Sequence, residues 1–555
     1  MAAIPPLWGQ FSGMGTPYDG SVVYFASTLR IKGTDQPNYG KLFVADENGV
    51  RLFRQRDQID PAPGSQSPTC IVGTFYSFES AEVSADGRTI AAGGRLSHAG
   101  YCNGYLLGTD LIAPGGDRDL AGHVRLSPGG RYAIADTTSG PFTSATLAFL
   151  DLQTGSQTPI QLPSALGPYQ ATFPGGGRTI ADDGTAVFSY FNSSYIARPG
   201  QPLAPFPVPN AQPIAIDASG TKVLYGVDGT VRLLDLGNQQ DQLVLADSVG
   251  VAGMSDDATR VLFLRGGQYF VIQTDGTGMR ALPGASTGIA NAILSGNGKV
   301  VYEAAGGRLL KIAADTGDQV EIIGRTPYIT QSGGYANAGT ASLVAGGGFA
   351  EQSSAANPPF PQSLGNVSVR IGGRPAPVTQ VTPTSVGFLV PWDAVAPGAP
   401  VQADIVVEAN GVHSPFDFPV SQIQVNNTPL AGPIVHQNWD GAVTIANPPY
   451  AGEIVHVYAV GLGPVSPDVP EGAAAPAAEP LARLATPMTC ANATVLYAGL
   501  APGAVERIYQ VDLRLDADGY RQFHCSLASV SDFIFLTLLV LPQPAVPPTS
   551  ESRSH

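Results

Sequence analysis

Along the first 325 residues, short apolar runs alternate with turns rich in Gly and Asp, and one phrase returns seven times. A turn is followed by a polar or basic residue and then by an apolar run of strand type. The copies are Tyr18–Tyr24, Ser84–Ile90, Ser127–Ala133, Pro174–Ile180, Asp217–Val223, Ser255–Val261 and Ser295–Val301. From Gly87 to Gly298 successive copies stand 43, 47, 43, 38 and 40 residues apart. A period of roughly 40–50 residues built from short strands predicts propeller blades. A further run follows each phrase, as in Thr146–Leu152, Thr230–Leu236, Tyr269–Thr274 and Arg308–Ile312, and then an outer run such as Asp241–Leu245. The pattern predicts four antiparallel strands per unit, and seven units predict a seven-bladed β-propeller over residues 1–325.

After Gly324 the period stops and strand-like alternation continues between Pro and Gly turns. Runs such as Leu364–Ile371, Val386–Trp392 and Tyr497–Leu500 predict immunoglobulin-like β-sandwiches. The first is expected over 326–425 and the second over 426–542, with an Ala- and Pro-rich loop at 472–487 and a loose tail at 543–555. The longest apolar run, Phe533–Leu541, falls far short of the roughly 20 residues of a membrane-spanning helix. It reads as a buried terminal strand. The fold class expected is therefore all-β: a propeller followed by two sandwiches.

Composition agrees with frequent turns. The chain of 555 residues holds 67 Gly and 48 Pro, and only 13% of it is charged, against about 25% in ordinary globular proteins. The net charge of −15, with Lys and Arg scattered singly, argues against a nucleic-acid partner, which needs a basic stripe. It equally disfavours anionic membrane surfaces, and no membrane insertion is expected. The start, Met1–Trp8, lacks the charged and apolar regions of a signal peptide.

Two resemblances follow from these phrases. The repeated units, closest in Ser84–Arg88 and Ser127–Arg131, resemble TolB-type and WD-related propeller repeats over about residues 15–325. That resemblance implies a fold and no particular activity. The later region resembles the uncharacterised C-terminal domain of secreted acidobacterial proteins. The phrases that carry it are Pro361–Val369, Val390–Asp393, Tyr458–Val465, Tyr497–Ala504 and Ile508–Asp512. Glu506-Arg507 and the pair Cys490 and Cys525 depart from its pattern. It implies export and an extracellular or cell-surface life.

Four cysteines, Cys70, Cys102, Cys490 and Cys525, show no C-x-x-C spacing, which excludes zinc ribbons and thioredoxin-like motifs. They fall as two pairs, one in each half. Cys70–Cys102 and Cys490–Cys525 disulfides are the expectation, in an oxidising compartment; four buried thiols are the alternative. Extra loops stand at 32–38, 57–70 and 96–105 on the first two units; the first bridge would pin the last two together, where a binding surface is expected, the alternative being loops that only cover the closure point of the ring.

Catalytic signals are weak. The histidines His98, His123, His413, His436, His456, His524 and His555 show no i,i+2 or i,i+4 pair, so no local metal motif exists. His123 is placed on the inner strand of the third unit, as a channel-lining residue. Gly284–Gly288 reads G-x-S-x-G but follows Pro283 in a loop, without the strand and helix of a nucleophile elbow. Asp182-Asp183 and Asp256-Asp257 sit by predicted turns, where Asp serves backbone hydrogen bonding. Asp516–Tyr520 begins like a calcium loop yet lacks its later ligands, and reads as a hairpin turn. Trp392 and Trp439 are expected in sandwich cores.

No catalytic, cofactor-binding or metal residue is therefore assigned, although the ring leaves room for a structural calcium ion. The expected function is non-enzymatic: extracellular or cell-surface binding, adhesion or structure. The propeller loops would present the interaction surface and the sandwiches would act as spacer or assembly modules. Partners would be a protein or glycan at the cell surface, with self-association through sandwich edge strands as an extension. The alternative is a propeller-type lyase or hydrolase acting on polysaccharide or peptide, with polar residues dispersed around the channel. A periplasmic scaffold of the TolB kind would need a signal peptide before Met1.

Overall fold

The computed structural model describes residues 11–34, 40–55, 74–98, 106–136, 147–163, 173, 177–190, 193–247, 249–284, 292–330, 334–396, 398–409, 414–428, 430–527 and 530–543. The chain divides into two units. The first comprises 1–326 and 412–417, the second 327–411 and 418–555. All regular structure among the described residues is β, and no helix is long and apolar enough to cross a membrane.

The first unit is propeller-like, with seven antiparallel sheets among the described residues, each following sequence order. The first holds Ser12–Gly15, Val23–Ser27, Lys41–Asp46 and Gly49–Arg54. The fifth holds Gln212–Ile216, Lys222–Val227, Thr230–Asp235 and Asp241–Leu245, and the seventh runs from Ala292–Leu294 to Gln319–Ile323. Second and third strands are buried, as Val23–Ser27 shows throughout, while the outer strand Gly49–Arg54 is half open to solvent. A strand buried on both faces has a neighbouring sheet on each side, which explains why these runs are continuously apolar.

The packing clusters show how the sheets succeed one another. Phe78 and Val83 of the second sheet share a cluster with Leu42 and Val44 of the first, and Leu126 of the third shares one with Leu111 of the second. The series continues through Phe149 with Phe188, Val187 with Tyr225, Leu224 with Phe263, and Leu262 with Val301. The last cluster joins Tyr302 and Leu309 of the seventh sheet to Phe25 and Phe43 of the first. No sheet closes on itself; the circuit closes by packing between sheets. Phe416, from the 412–417 segment, fills the same cluster with its ring 5.4 Å from Phe43.

The repeated phrase has a defined job. Its first side chain accepts the backbone N–H five residues on: Thr89 to Ser84 at 2.9 Å, Lys222 to Asp217 at 2.7 Å, Arg260 to Ser255 at 3.0 Å and Val300 to Ser295 at 2.9 Å. The second residue reaches the neighbouring sheet. Tyr18 N–H donates to Ala85 C=O, Ala85 to Pro128, Asp182 to Ala218, Ala218 to Asp256 and Asp256 to Gly296. Asn297 N–H donates back to Tyr18 C=O at 2.8 Å. The third link runs instead from Gly129 N–H to the Asp182 carboxylate. These bonds form a girdle that starts and ends on Tyr18.

The fourth copy of the phrase differs from its sequence assignment. The turn there is Ala181–Thr185, with Gly184 N–H donating to Ala181 C=O and Thr185 N–H to Asp183. Gly177–Ile180 lies where an inner strand belongs, with Ile180 bridged to Ala186. The fourth sheet correspondingly shows three regular strands, Ala186–Tyr190, Ser193–Ala197 and Ala204–Pro205. A Gly-rich run before Arg178 imitates the turn of the phrase, which misplaced it by half a hairpin. The extra loops of the first two units lie largely outside the described residues, as do Cys70 and Cys102.

Among the described residues the second unit contains four sheets. A five-stranded sheet includes Ala341–Gly347, Ser385–Leu389 and Val378–Val381. A six-stranded one includes Val420–Asn427, Gly398–Ala409 and Val367–Ile371. In Val367–Ile371 burial alternates, as expected of a strand with one buried face. Beyond it, a six-stranded sheet around Ile454–Val460, Tyr509–Leu515 and Ala493–Leu500 packs on the three-stranded sheet Met488–Cys490, Gly519–Leu527 and Val530–Val540. Asp516–Asp518 is a corner between those two sheets, because the strands it joins pair with different partners; the hairpin expectation is corrected. Cys490 and Cys525 stand directly opposite one another on paired strands and are joined by a disulfide.

The phrases of the later region converge within this unit. Arg507 lies 4.3 Å over the half-buried Trp392 ring, whose backbone N–H donates to Glu471 at 3.0 Å. Tyr509 donates its hydroxyl proton to Gly463 C=O, and Arg507 N–H donates to Gly339 C=O at 2.7 Å. Burial raises the Glu471 carboxyl above its ordinary range, with Arg507 opposing. Glu506 accepts Ala341 N–H at 3.0 Å, so Glu506 and Arg507 tie the strand-bearing halves of the unit together.

Candidate functional site

The inner strands of the first unit surround a cavity of about 640 Å³. Most of its wall is small or apolar: Gly13, Gly15, Ala81, Val83, Ile214, Val251 and Leu294 among others. Inner strands alternate, so every second residue faces inward. In His123–Leu126, Val124 and Leu126 are buried and Arg125 points to the cavity. The same alternation brings Glu82 and Gln212 into the lining.

Two ion pairs dominate its chemistry. Arg125 meets Glu82 at 2.6 Å, and the second oxygen of Glu82 accepts Leu126 N–H at 2.7 Å. Arg178 meets Asp256 at 3.1 Å. Arg178 comes from the irregular inner segment of the fourth sheet, held by Ile216 N–H donating to its carbonyl. Asp256 is the second residue of the sixth turn and so belongs to the girdle. A Cβ at Gly296 would collide with its carboxylate, so only glycine allows that close approach. The other oxygen of Asp256 is buried without a hydrogen-bond partner.

Asp182, exposed in the same girdle position of the fourth turn, adds to the field on this cluster without lining the cavity. Burial pushes its carboxyl up, and the Asp256 carboxylate pushes it further. Burial alone would pull the Arg178 guanidinium down, but Asp256, Glu82 and Asp182 hold it above its ordinary value. The cavity thus carries its guanidiniums already matched by carboxylates. Such an arrangement offers fixed, oriented hydrogen-bonding groups rather than an excess of one charge.

The sequence candidates scatter around this site. His123 begins the inner strand of the third sheet, and His436 and His456 lie in the second unit. His413 and His555 are outside the described residues. Asp182 and Asp256 hold equivalent girdle positions on either side of Ala218, whereas their chain neighbours Asp183 and Asp257 cap their own turns. Gly284 follows the outer strand of the sixth sheet, and Ala285–Gly288 fall outside the described residues. Among the described residues no group of three or more His, Cys, Asp or Glu is set to hold a metal ion. Glu82, Arg125 and Arg178 were not anticipated. The available signal was a lone charge on an otherwise apolar inner strand.

No family model and no curated protein matches the chain. Solved structures with a similar trace include one from a structural and mechanistic study of two prolyl endopeptidases, at 14% identity and a TM-score of 0.38, covering 57% of this chain and 50% of that one. The Dos1 propeller matches at 12% identity and 0.31, covering 57% and 87%. Hsv2 of Kluyveromyces lactis matches at 15% and 0.29, covering 42% and 73%. The chain spans about half the length of the prolyl endopeptidase structure. These likenesses are distant; the propeller-like succession is carried by the chain's own sheets, clusters and girdle.

Proposed function

We propose that the chain is a seven-bladed propeller followed by two immunoglobulin-like sandwiches, acting outside the cell or on its surface as a non-enzymatic binding and assembly protein. The observation that carries this reading is the pairing inside the cavity: Arg125 with Glu82 and Arg178 with Asp256. General acid–base or nucleophilic catalysis needs a poised, reachable group. Here Glu82 and Asp256 are each paired with an arginine, and the second oxygen of Asp256 is shut away from solvent. The Cys490–Cys525 bridge supports an oxidising compartment.

The test uses the full chain on arrays of cell-surface glycans and peptides, and in sedimentation over a wide concentration range. Retention of a ligand, or self-association, is expected. A monomer that retains nothing on either array would overturn the proposal.

One observation favours the alternative of a polysaccharide- or peptide-directed lyase or hydrolase. Burial raises the Asp182 carboxyl, and the Asp256 carboxylate adds to the rise; a carboxyl whose surroundings raise it is one that such chemistry can use as an acid. Turnover lost in both Asp182→Asn and Asp256→Asn would establish it.

A further inference from the structure

The second sandwich carries a feature that its proposed role as a spacer does not use. The strands around Val435 and Ala442 bridge and are joined by a tight turn. Trp439 N–H donates to His436 C=O at 2.9 Å, and His436 N–H to Gly441 C=O at 3.1 Å. Trp439 occupies the left-handed position of this turn, with φ of 61°. That position is ordinarily taken by Gly or Asn, because the Cβ of other L-residues is crowded there. A bulky ring in it is an outlier that the surroundings must hold in place.

They do. The indole stacks on the His456 imidazole with centroids 4.3 Å apart and planes 16° from parallel. His456 is itself fixed from both nitrogens, by Asp512 at 2.7 Å and by Gln437 C=O at 3.2 Å. Gln510 steadies Asp512 at 2.8 Å. Trp439 nevertheless remains 55% exposed, so with one face on the imidazole its other face looks to solvent. Its chain neighbours Gln437, Asn438 and Asp440 are exposed and polar.

We infer that this platform binds a neutral sugar ring. A pyranose with equatorial hydroxyls presents a flat C–H face for stacking and a rim of hydroxyls for hydrogen bonds. A rigid exposed indole bordered by amide and carboxylate side chains matches both. A stable protein partner would need roughly 800 Å² of surface on each side, whereas the neighbours of this ring are polar. An ammonium ligand would favour a cage of several aromatic faces, whereas here one indole face is taken by the imidazole and the other is open to solvent. The inference goes beyond the reading of the propeller and stands or falls separately from it.

The full chain is titrated calorimetrically, and by tryptophan fluorescence, with soluble hexasaccharides of β-1,4-glucose, β-1,3-glucose, xylose, mannose and N-acetylglucosamine. Saturable binding of at least one is expected, weakened about tenfold or more in Trp439→Asn and only partly in Trp439→Phe. Asn suits the backbone of the turn, so this variant keeps its fold, checked by its melting temperature. A bound sugar without dependence on Trp439, or no binding across the panel, would overturn the inference. Self-association abolished by Trp439→Asn with no sugar bound would also overturn it, and would assign the ring to a protein contact.

Discussion

At the residue scale, chemistry is decided by what surrounds each side chain, and this is what the sequence conceals most. Glu303 sits on the second strand of the seventh sheet, 1% exposed, with both carboxylate oxygens unpartnered. Burial raises its carboxyl from an ordinary 4.5 to about 7. The folded state therefore holds a proton that the unfolded chain releases. The resulting stability is full below the ordinary carboxylate range and is lost as the pH climbs through about 7. At roughly 1.4 kcal/mol per unit, stability should fall by roughly 3 kcal/mol between pH 4.5 and 8 on this account. Urea unfolding of Glu303→Gln should show a flatter profile and a more stable protein at pH 8. An unchanged profile would refute the assignment. In the sequence Glu303 was one acid in an otherwise ordinary strand. Trp439 was equally hidden: a tryptophan in a sandwich is expected in the core, and only the backbone of its turn reveals why this one is not.

At the element scale, the sequence was far more legible. Turn composition and strand alternation are local properties, so phrases such as Ser84–Ile90 and Ser295–Val301 predicted strand pairs that the structure contains. The hydroxyl at the head of the phrase is the functional atom. Ser295 is fully buried and accepts Val300 N–H at 2.9 Å. Ser295→Ala strands that donor, and a loss of about 1–3 kcal/mol is expected in denaturant unfolding. The exposed cap Asp275, which accepts Thr277 N–H at 2.8 Å, offers the contrast: Asp275→Ala should cost clearly less. Equal effects would show that burial does not set the value of these caps. The fourth unit shows where local reading fails. Gly177-Arg178 carries the composition of a turn, yet the neighbouring fifth sheet claims it as an inner segment through Ile216 N–H. Likewise Asp516–Asp518 has hairpin composition, but its flanking strands belong to different sheets, a fact that only long-range pairing decides.

At the scale of the whole molecule, the circuit of the first unit depends on contacts between its ends. Tyr302 donates its hydroxyl proton to Gly20 C=O at 2.9 Å, across 282 residues of chain, beside Lys311 paired with Glu47 at 2.8 Å. Tyr302→Phe leaves a buried carbonyl unmatched and should cost about 1 kcal/mol; thermal unfolding measures it. A loss indistinguishable from zero would mean the first and seventh sheets do not rely on this bond. The succession of short antiparallel sheets was readable because the period is regular, whereas the cavity was not, since Glu82, Arg125, Arg178 and Asp256 come from four different sheets or their turns.

The central claim is that these cavity groups bind and position rather than turn over a substrate. The most direct measurement incubates the full chain with a panel of polysaccharides and peptides and analyses the products by mass spectrometry, alongside Asp182→Asn and Asp256→Asn. The account predicts ligand retained and recovered intact, with no new product from any of the three proteins. A product formed by the parent chain and lost in both variants would contradict it and make the cavity an active site.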